Sequence, residues 1–264
     1  MKKLSKLYLA IVFIFLYSPI VVMILISFNA GESTAHMTGL SLRWYRQMLS
    51  DDITLNAFRN TLVLSSVSAL VSTLLGTLAS VGISRIRKRR IRNAVKNVTN
   101  LPMVNPDIVT GISLMLLFVF TAQALGRESA LGFGSLLIAH ITFSLPYVIM
   151  SVLPKINQLD RSVPEAAMDL GCTPMQSFFK VELPFISPGI VTGLIMAFTL
   201  SFDDFVISNF TSGASFETLT IHIYAMIKKS VKPGIYALST LIFIVVMTLI
   251  LVYNLLSSRD RRER

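Results

Sequence analysis

Apolar residues in this chain run in long blocks rather than alternating with polar ones. A helix crossing about 30 Å of hydrocarbon at about 1.5 Å per residue needs about 20 such residues. Five stretches meet that length outright: 7–28, 61–84, 132–153, 188–210 and 236–256. A sixth, 98–125, is apolar but holds Pro102, Asn105, Pro106 and Asp107. Asn105-Pro106-Asp107 are helix-start signals. They place the span at 107–125 with an irregular entry before it, or else mark a helix broken inside the membrane. The pattern predicts an all-α polytopic membrane bundle of about six transmembrane helices, forming one transmembrane domain over 1–264.

Composition agrees with this. Apolar residues make up 53% of the chain and charged residues only 14%, against about 25% charged in a soluble domain. The first span follows Lys2, Lys3 and Lys6 as a secretory signal would. It is too long for a signal core, and no small-x-small cleavage site follows Phe28, so it is read as retained. A single cysteine, Cys172, excludes an intrachain disulfide framework. His36, His140 and His222 lie far apart, so no metal site is expected.

The net charge is +10, and its placement gives it meaning. Under six spans, 17 of the 24 lysines and arginines fall on one side. They are Lys2, Lys3 and Lys6, the basic residues of the 85–96 loop, Lys155, Arg161 and Lys180, and the basic C-terminal tail. Positive charge stays cytoplasmic during insertion. Both termini and the 154–187 loop are therefore expected in the cytoplasm. Clusters at membrane ends serve topology, so the surroundings read as membrane lipid and no nucleic-acid partner is expected.

Lipid gives helices no hydrophobic reason to associate, so small residues at helical spacing mark seams. Ser65, Ala69, Ser72, Gly76 and Ser80 make one such face, and Gly189, Gly193, Ala197 and Ser201 another. Outside the spans, 29–60 holds Trp44, Tyr45 and an amphipathic helix candidate.

Acids inside spans are costly, about 2.5–3.5 kcal/mol at a helix centre, and they pair, face a wet cavity or mark a substrate path. Asp203 and Asp204 are adjacent in the fifth span, about 100° apart around a helix. Asp204 continues the seam through Ala197 and Ser201, while Asp203 points elsewhere. Two readings stand: a cation-binding site, or a structural role in interhelical hydrogen bonding or a helix interruption. Asp107 is either a helix cap or a pathway residue. Phe143 and Tyr147 flank Pro146 and either pack the core or cover methylenes and ammonium groups. Glu217 either binds a cation or is solvated.

The loop 154–187 has the chemistry of a short helix, a turn and a second helix. Pro164 suits a first helical turn, Glu165 the positive dipole end, and Ala166 and Ala167 the interior. Gly171 suits a left-handed terminus. Glu165-Ala166-Ala167, three residues, Gly171, nine residues, then Val181-Glu182-Leu183-Pro184 resembles the EAA loop of binding-protein-dependent ABC importer permeases. The one departure is Val181 in place of isoleucine. The resemblance implies a type I ABC importer permease fold, with Glu165, Ala166, Ala167, Gly171, Leu183 and Pro184 coupling it to a separate ATPase. No Gly-x-x-x-x-Gly-Lys-Ser/Thr phosphate loop occurs in the chain. It is therefore not read as an enzyme, and ATP and magnesium belong to the partner. No cofactor is expected in this chain.

Asn105-Pro106-Asp107-Ile108-Val109, His140 to Pro146 and Ser201-Phe202-Asp203-Asp204 are similar to the spermidine/putrescine permeases, in particular the PotC-type subunit. That family implies a bacterial inner-membrane protein paired with a PotB-type permease. It also implies two ATP-binding subunits and an extracytoplasmic polyamine-binding protein. Its cargo would be an extended polyamine cation. Competing readings are a same-family permease for an iron complex, phosphonate or peptide, and an ion-coupled carrier or channel needing no docking loop.

Overall fold

The structure, a computed structural model, describes residues 2–32, 36–126, 130–160, 162–214, 216–229, 234–244 and 247–248. Their regular structure is helical apart from one isolated bridge, Asn29 to Leu40. Five helices are long and apolar enough to cross a membrane: Lys6–Ser27, Asp52–Arg85, Asp107–Ala124, Phe133–Gln158 and Pro174–Asp203. Gly234–Ile244 is a shorter apolar helix at the start of the span expected at 236–256. The rest of that span lies outside the described residues except for 247–248. The chain divides into two compact units, Met1–Asn56 with His222–Arg264, and Ala57–Ile221.

In the first unit, α1 (Lys2–Ser27) is apolar around most of its circumference and exposed along most of its length. That suits a helix facing lipid. The amphipathic candidate is helix α2 (Arg43–Leu49). Trp44 Nε1 donates to the Asn29 carbonyl at 2.7 Å, and the Tyr45 hydroxyl lies 2.6 Å from Ser27 Oγ. These two bonds tie α2 to the end of α1.

The second unit carries most of α3 (Asp52–Arg85), then α4 (Arg89–Val104), α5 (Asp107–Ala124) and α6 (Phe133–Gln158). It continues through α7 (Ser162–Asp169), α8 (Pro174–Ser177), α9 (Leu183–Asp203) and α10 (Val206–Thr211), up to the start of α11 (Leu219–Lys229). Both small-residue seams close on α6. A Cβ on Gly76 would lie 2.6 Å from Val148 Cγ1, and one on Gly193 would lie 3.2 Å from the same atom. Gly189 abuts the Ser151 carbonyl and Lys155. Ala69, Val148, Val152, Ile186 and Ala197 form the core between these helices. Gly111 brings α5 against Phe210 of α10 in the same way.

Two segments differ from the sequence expectation. Residues 85–96 are not simply a loop, nor is 98–104 an irregular entry: α4 is helical from Arg89 to Val104. Ile91, Val95, Val98 and Pro102 recur at helical spacing, and Pro102 near the C-terminal end removes little of the hydrogen-bond ladder. Val95 packs against the cluster of Ile83, Ile149 and Leu153. Only Asn105-Pro106 separates α4 from α5. The span expected at 188–210 is likewise not one helix. It begins earlier and breaks at Asp204-Phe205. At its start, Phe178–Glu182 forms a single π-helical turn, closed by Leu183 N–H donating to the Phe178 carbonyl.

Candidate functional site

The interrupted span sets the geometry of the acidic pair. Asp203 is the last residue of α9 and is exposed. Asp204 takes an extended conformation, φ −65° and ψ 126°, which ends the helix. Its carboxylate then serves the next one: Oδ2 accepts from Ser208 N–H at 2.7 Å and Oδ1 from Ile207 N–H at 3.3 Å. A break inside a span leaves backbone groups that lipid cannot satisfy, and the Asp204 side chain supplies two of the missing acceptors. Its own carbonyl accepts from Thr220 Oγ1 at 2.7 Å.

His140 of α6 stands against the break with its side chain 1% exposed. Nδ1 lies 2.7 Å from Ser201 Oγ and Nε2 lies 3.0 Å from Ser208 Oγ. Asp204 Oδ2 lies 3.6 Å from Nε2. Ser68 of α3 donates to Ser201 Oγ at 2.9 Å. The result is a buried polar cluster drawn from four helices and the break itself. The sequence analysis noted His140 only as one of three scattered histidines. The available signal was a buried-span histidine seven residues before Tyr147, and a serine four residues after Asp204.

The stripe His140, Phe143 and Tyr147 follows one face of α6. Phe143 is buried with Ala139 and Ile207, and its ring meets that of Tyr147 at 5.7 Å between centroids. Phe143 therefore packs the core, while Tyr147 is half-buried above it. Asp107 is exposed in the first turn of α5. Asp204 stands beside His140 at one end of this stripe, and Tyr147 lies seven residues on, about 10 Å along the helix. Glu217 is half-buried in the turn before α11, and its carbonyl accepts from Asn60 Nδ2 at 3.1 Å. No group of three or more His, Cys, Asp or Glu suited to a metal occurs among the described residues.

The 154–187 loop carries a second constellation. α7 ends in a Schellman turn: Cys172 N–H donates to the Ala167 carbonyl at 3.1 Å and Gly171 N–H to the Met168 carbonyl at 2.9 Å. Gly171 has φ +93° there, with nothing within 4 Å of where a Cβ would sit. Thr173 and Gln176 form a capping box that starts α8. Ser177 Oγ donates to the Pro164 carbonyl at 3.1 Å, fastening α8 to α7. Glu165, Ala166 and Pro184 are exposed, Ala167 is half-buried, and Leu183 packs against the α6–α9 core. The surface around them is apolar, with Val163, Met168, Leu170, Met175 and Phe179 all exposed. An uncovered apolar surface on a polar loop marks an interaction site.

Residues 72–263 match the family described as "Binding-protein-dependent transport system inner membrane component". The chain is 40% identical over 230 residues to the putrescine transport system permease protein PotI of Escherichia coli (strain K12), covering 87% of this chain and 82% of that one. It is 35% identical over 256 residues to the spermidine/putrescine transport system permease protein PotC of the same organism, covering 97% and 94%. Among solved structures, a bacterial ABC transporter importing the acidic polysaccharide alginate superposes with a TM-score of 0.75 at 17% identity, covering 97% of this chain and 94% of that one. That likeness shows a shared fold.

Proposed function

The chain belongs to the family of binding-protein-dependent transport system inner membrane components, and on that premise we propose that it forms half of an ATP-driven import pathway for putrescine or spermidine. The observation that carries the cargo is the contrast within the acidic pair. Asp204 spends its carboxylate on the helix break, whereas Asp203 is exposed at the end of a spanning helix. A carboxylate exposed there is costly in lipid and favourable beside an ammonium group. Asp107 and Tyr147 supply a second carboxylate and a ring face for an extended cation. Glu217 stands as a further pathway candidate. The names of the relatives supply the same cargo class.

The second half of the pathway comes from a PotB-type permease. One of two ATP-binding subunits docks on the α7–α8 surface, where Glu165, Ala166, Ala167, Gly171, Leu183 and Pro184 set its shape. An extracytoplasmic polyamine-binding protein delivers the cargo. Both termini and the 154–187 loop face the cytoplasm, and ATP and magnesium are held by the partner. ATP binding closes the motor, moves α7 and turns the pathway outward; hydrolysis resets it. A ligand drives such a change only through different affinities for the two states.

Uptake of labelled putrescine by cells carrying the whole transporter tests the cargo. Unlabelled spermidine should compete, while an iron chelate, a phosphonate and a dipeptide should not. Competition by one of those three in place of spermidine would reassign the cargo within the family.

A further inference from the structure

The polar cluster around His140 has a role that capping the helix does not require. Asp204 alone satisfies the Ile207 and Ser208 N–H groups. His140 adds a bridge across the break: Nδ1 reaches Ser201, the third residue from the end of α9, and Nε2 reaches Ser208, inside α10. Ser68 donates its proton to Ser201 Oγ, leaving the Ser201 hydroxyl proton for Nδ1. In a neutral imidazole the other nitrogen then carries the proton, directed at Ser208 Oγ and Asp204 Oδ2. One ring therefore fixes the angle between the two helices that meet at Asp204.

Asp203 sits between those anchors, two residues from Ser201 and next to the joint. The geometry points to His140 as a positioning residue for import: by locking Ser201 to Ser208 across the break, it holds the Asp203 carboxylate on the open side of α9. The inference rests on the pathway reading of Asp203. A ring with nitrogens on two sides suits the task. Asparagine reproduces the reach of Nδ1 alone and glutamine that of Nε2 alone, and leucine reproduces neither.

The test reads the position of residue 203 directly. In the whole transporter in membranes, with Cys172→Ser removing the native thiol, Asp203→Cys is reacted with a membrane-impermeant, positively charged methanethiosulfonate. With His140 intact, the thiol should react. His140→Leu should change that rate about tenfold, because a small displacement of a held group has a large kinetic effect. His140→Asn and His140→Gln, each keeping one arm, should fall between. In parallel, Asp203→Asn should reduce putrescine uptake much less in the His140→Leu background than in the parent.

An equal labelling rate in parent and His140→Leu, at equal membrane abundance, overturns the positioning role. So does full additivity of the two substitutions in uptake. If all three His140 variants are lost from the membrane, His140 is a folding residue and the inference fails. No reaction at position 203 with His140 intact removes the pathway reading itself, and this inference with it.

Discussion

The Glu182 carboxylate lies 3.6 Å from the Arg85 guanidinium, joining the π-helical turn ahead of α9 to the last residue of α3. Arg85 is well exposed while Glu182 is mostly covered. Pairs of this kind contribute about 0–1 kcal/mol and weaken with salt. Glu182→Gln should therefore lower the Tm of the purified chain only slightly, and the difference from the parent should shrink between low and high salt. A large loss insensitive to salt would show that Glu182 acts through something other than Arg85.

The Schellman turn at Gly171 makes a sharper prediction. With φ +93° and open space around the missing Cβ, a side chain there meets a conformational cost of about 1–2 kcal/mol and no clash. Gly171→Ala should fray the end of α7 while leaving the bundle inserted. The expected phenotype in the reconstituted complex is ATP hydrolysis with reduced transport per ATP. Gly171→Asn should retain more coupling than Gly171→Ala, since asparagine tolerates the left-handed region. Equal coupling in all three proteins would remove the turn from the docking surface.

The two adjacent aspartates should separate cleanly when changed one at a time. Asp204→Asn weakens the cap of α10 and leaves His140 facing a neutral group; a cost of about 1–3 kcal/mol follows. It should appear as reduced abundance or thermal stability. Asp203→Asn should leave abundance unchanged and reduce putrescine uptake. Immunoblotting of membranes beside uptake assays distinguishes these outcomes, and a reversal of the two phenotypes would exchange their roles.

Glycines along α3 and α9 provide an internal comparison. A Cβ on Gly189 would sit 2.9 Å from the Ser151 carbonyl oxygen, which belongs to backbone and cannot rotate away. Gly189→Val should cost about 1–3 kcal/mol through overpacking. Gly82 has nothing within 4 Å of its missing Cβ. Gly82→Ala should be neutral or stabilising by about 0.5–1 kcal/mol, because alanine favours a helix interior. Thermal unfolding in detergent measures both.

The seams were legible in the sequence because small residues at four-residue spacing have one use in a lipid-surrounded bundle. Ser65, Ala69, Ser72, Gly76 and Ser80 are all buried, as are Gly189, Gly193, Ala197 and Ser201. The short helix, turn and second helix of the 154–187 loop were legible for a similar reason, since Pro164, Glu165 and Gly171 each carry local conformational information. The helix of 89–104 was not, because its basic residues obscured the periodicity of Ile91, Val95 and Val98. The break at Asp204 was legible only as one of two alternatives. A carboxylate that caps a helix and one that meets a cation look alike along a chain. What separates them is the pair of N–H groups that Asp204 accepts from, and His140 approaching from α6, far away in sequence.

Pro174 to Asp203 is a single run of 30 helical residues. At the helical rise this makes a stiff lever arm about 45 Å long, with the α7 turn of the 154–187 loop at one end and a carboxylate at the other. A tilt of about 5° at the loop would swing the far tip by about 4 Å. Because His140 and Asp204 clamp the break just beyond that tip, the swing would be passed on to α10 with the angle between the two helices held. Push and load would then share one beam, carried past the bend rather than lost in it.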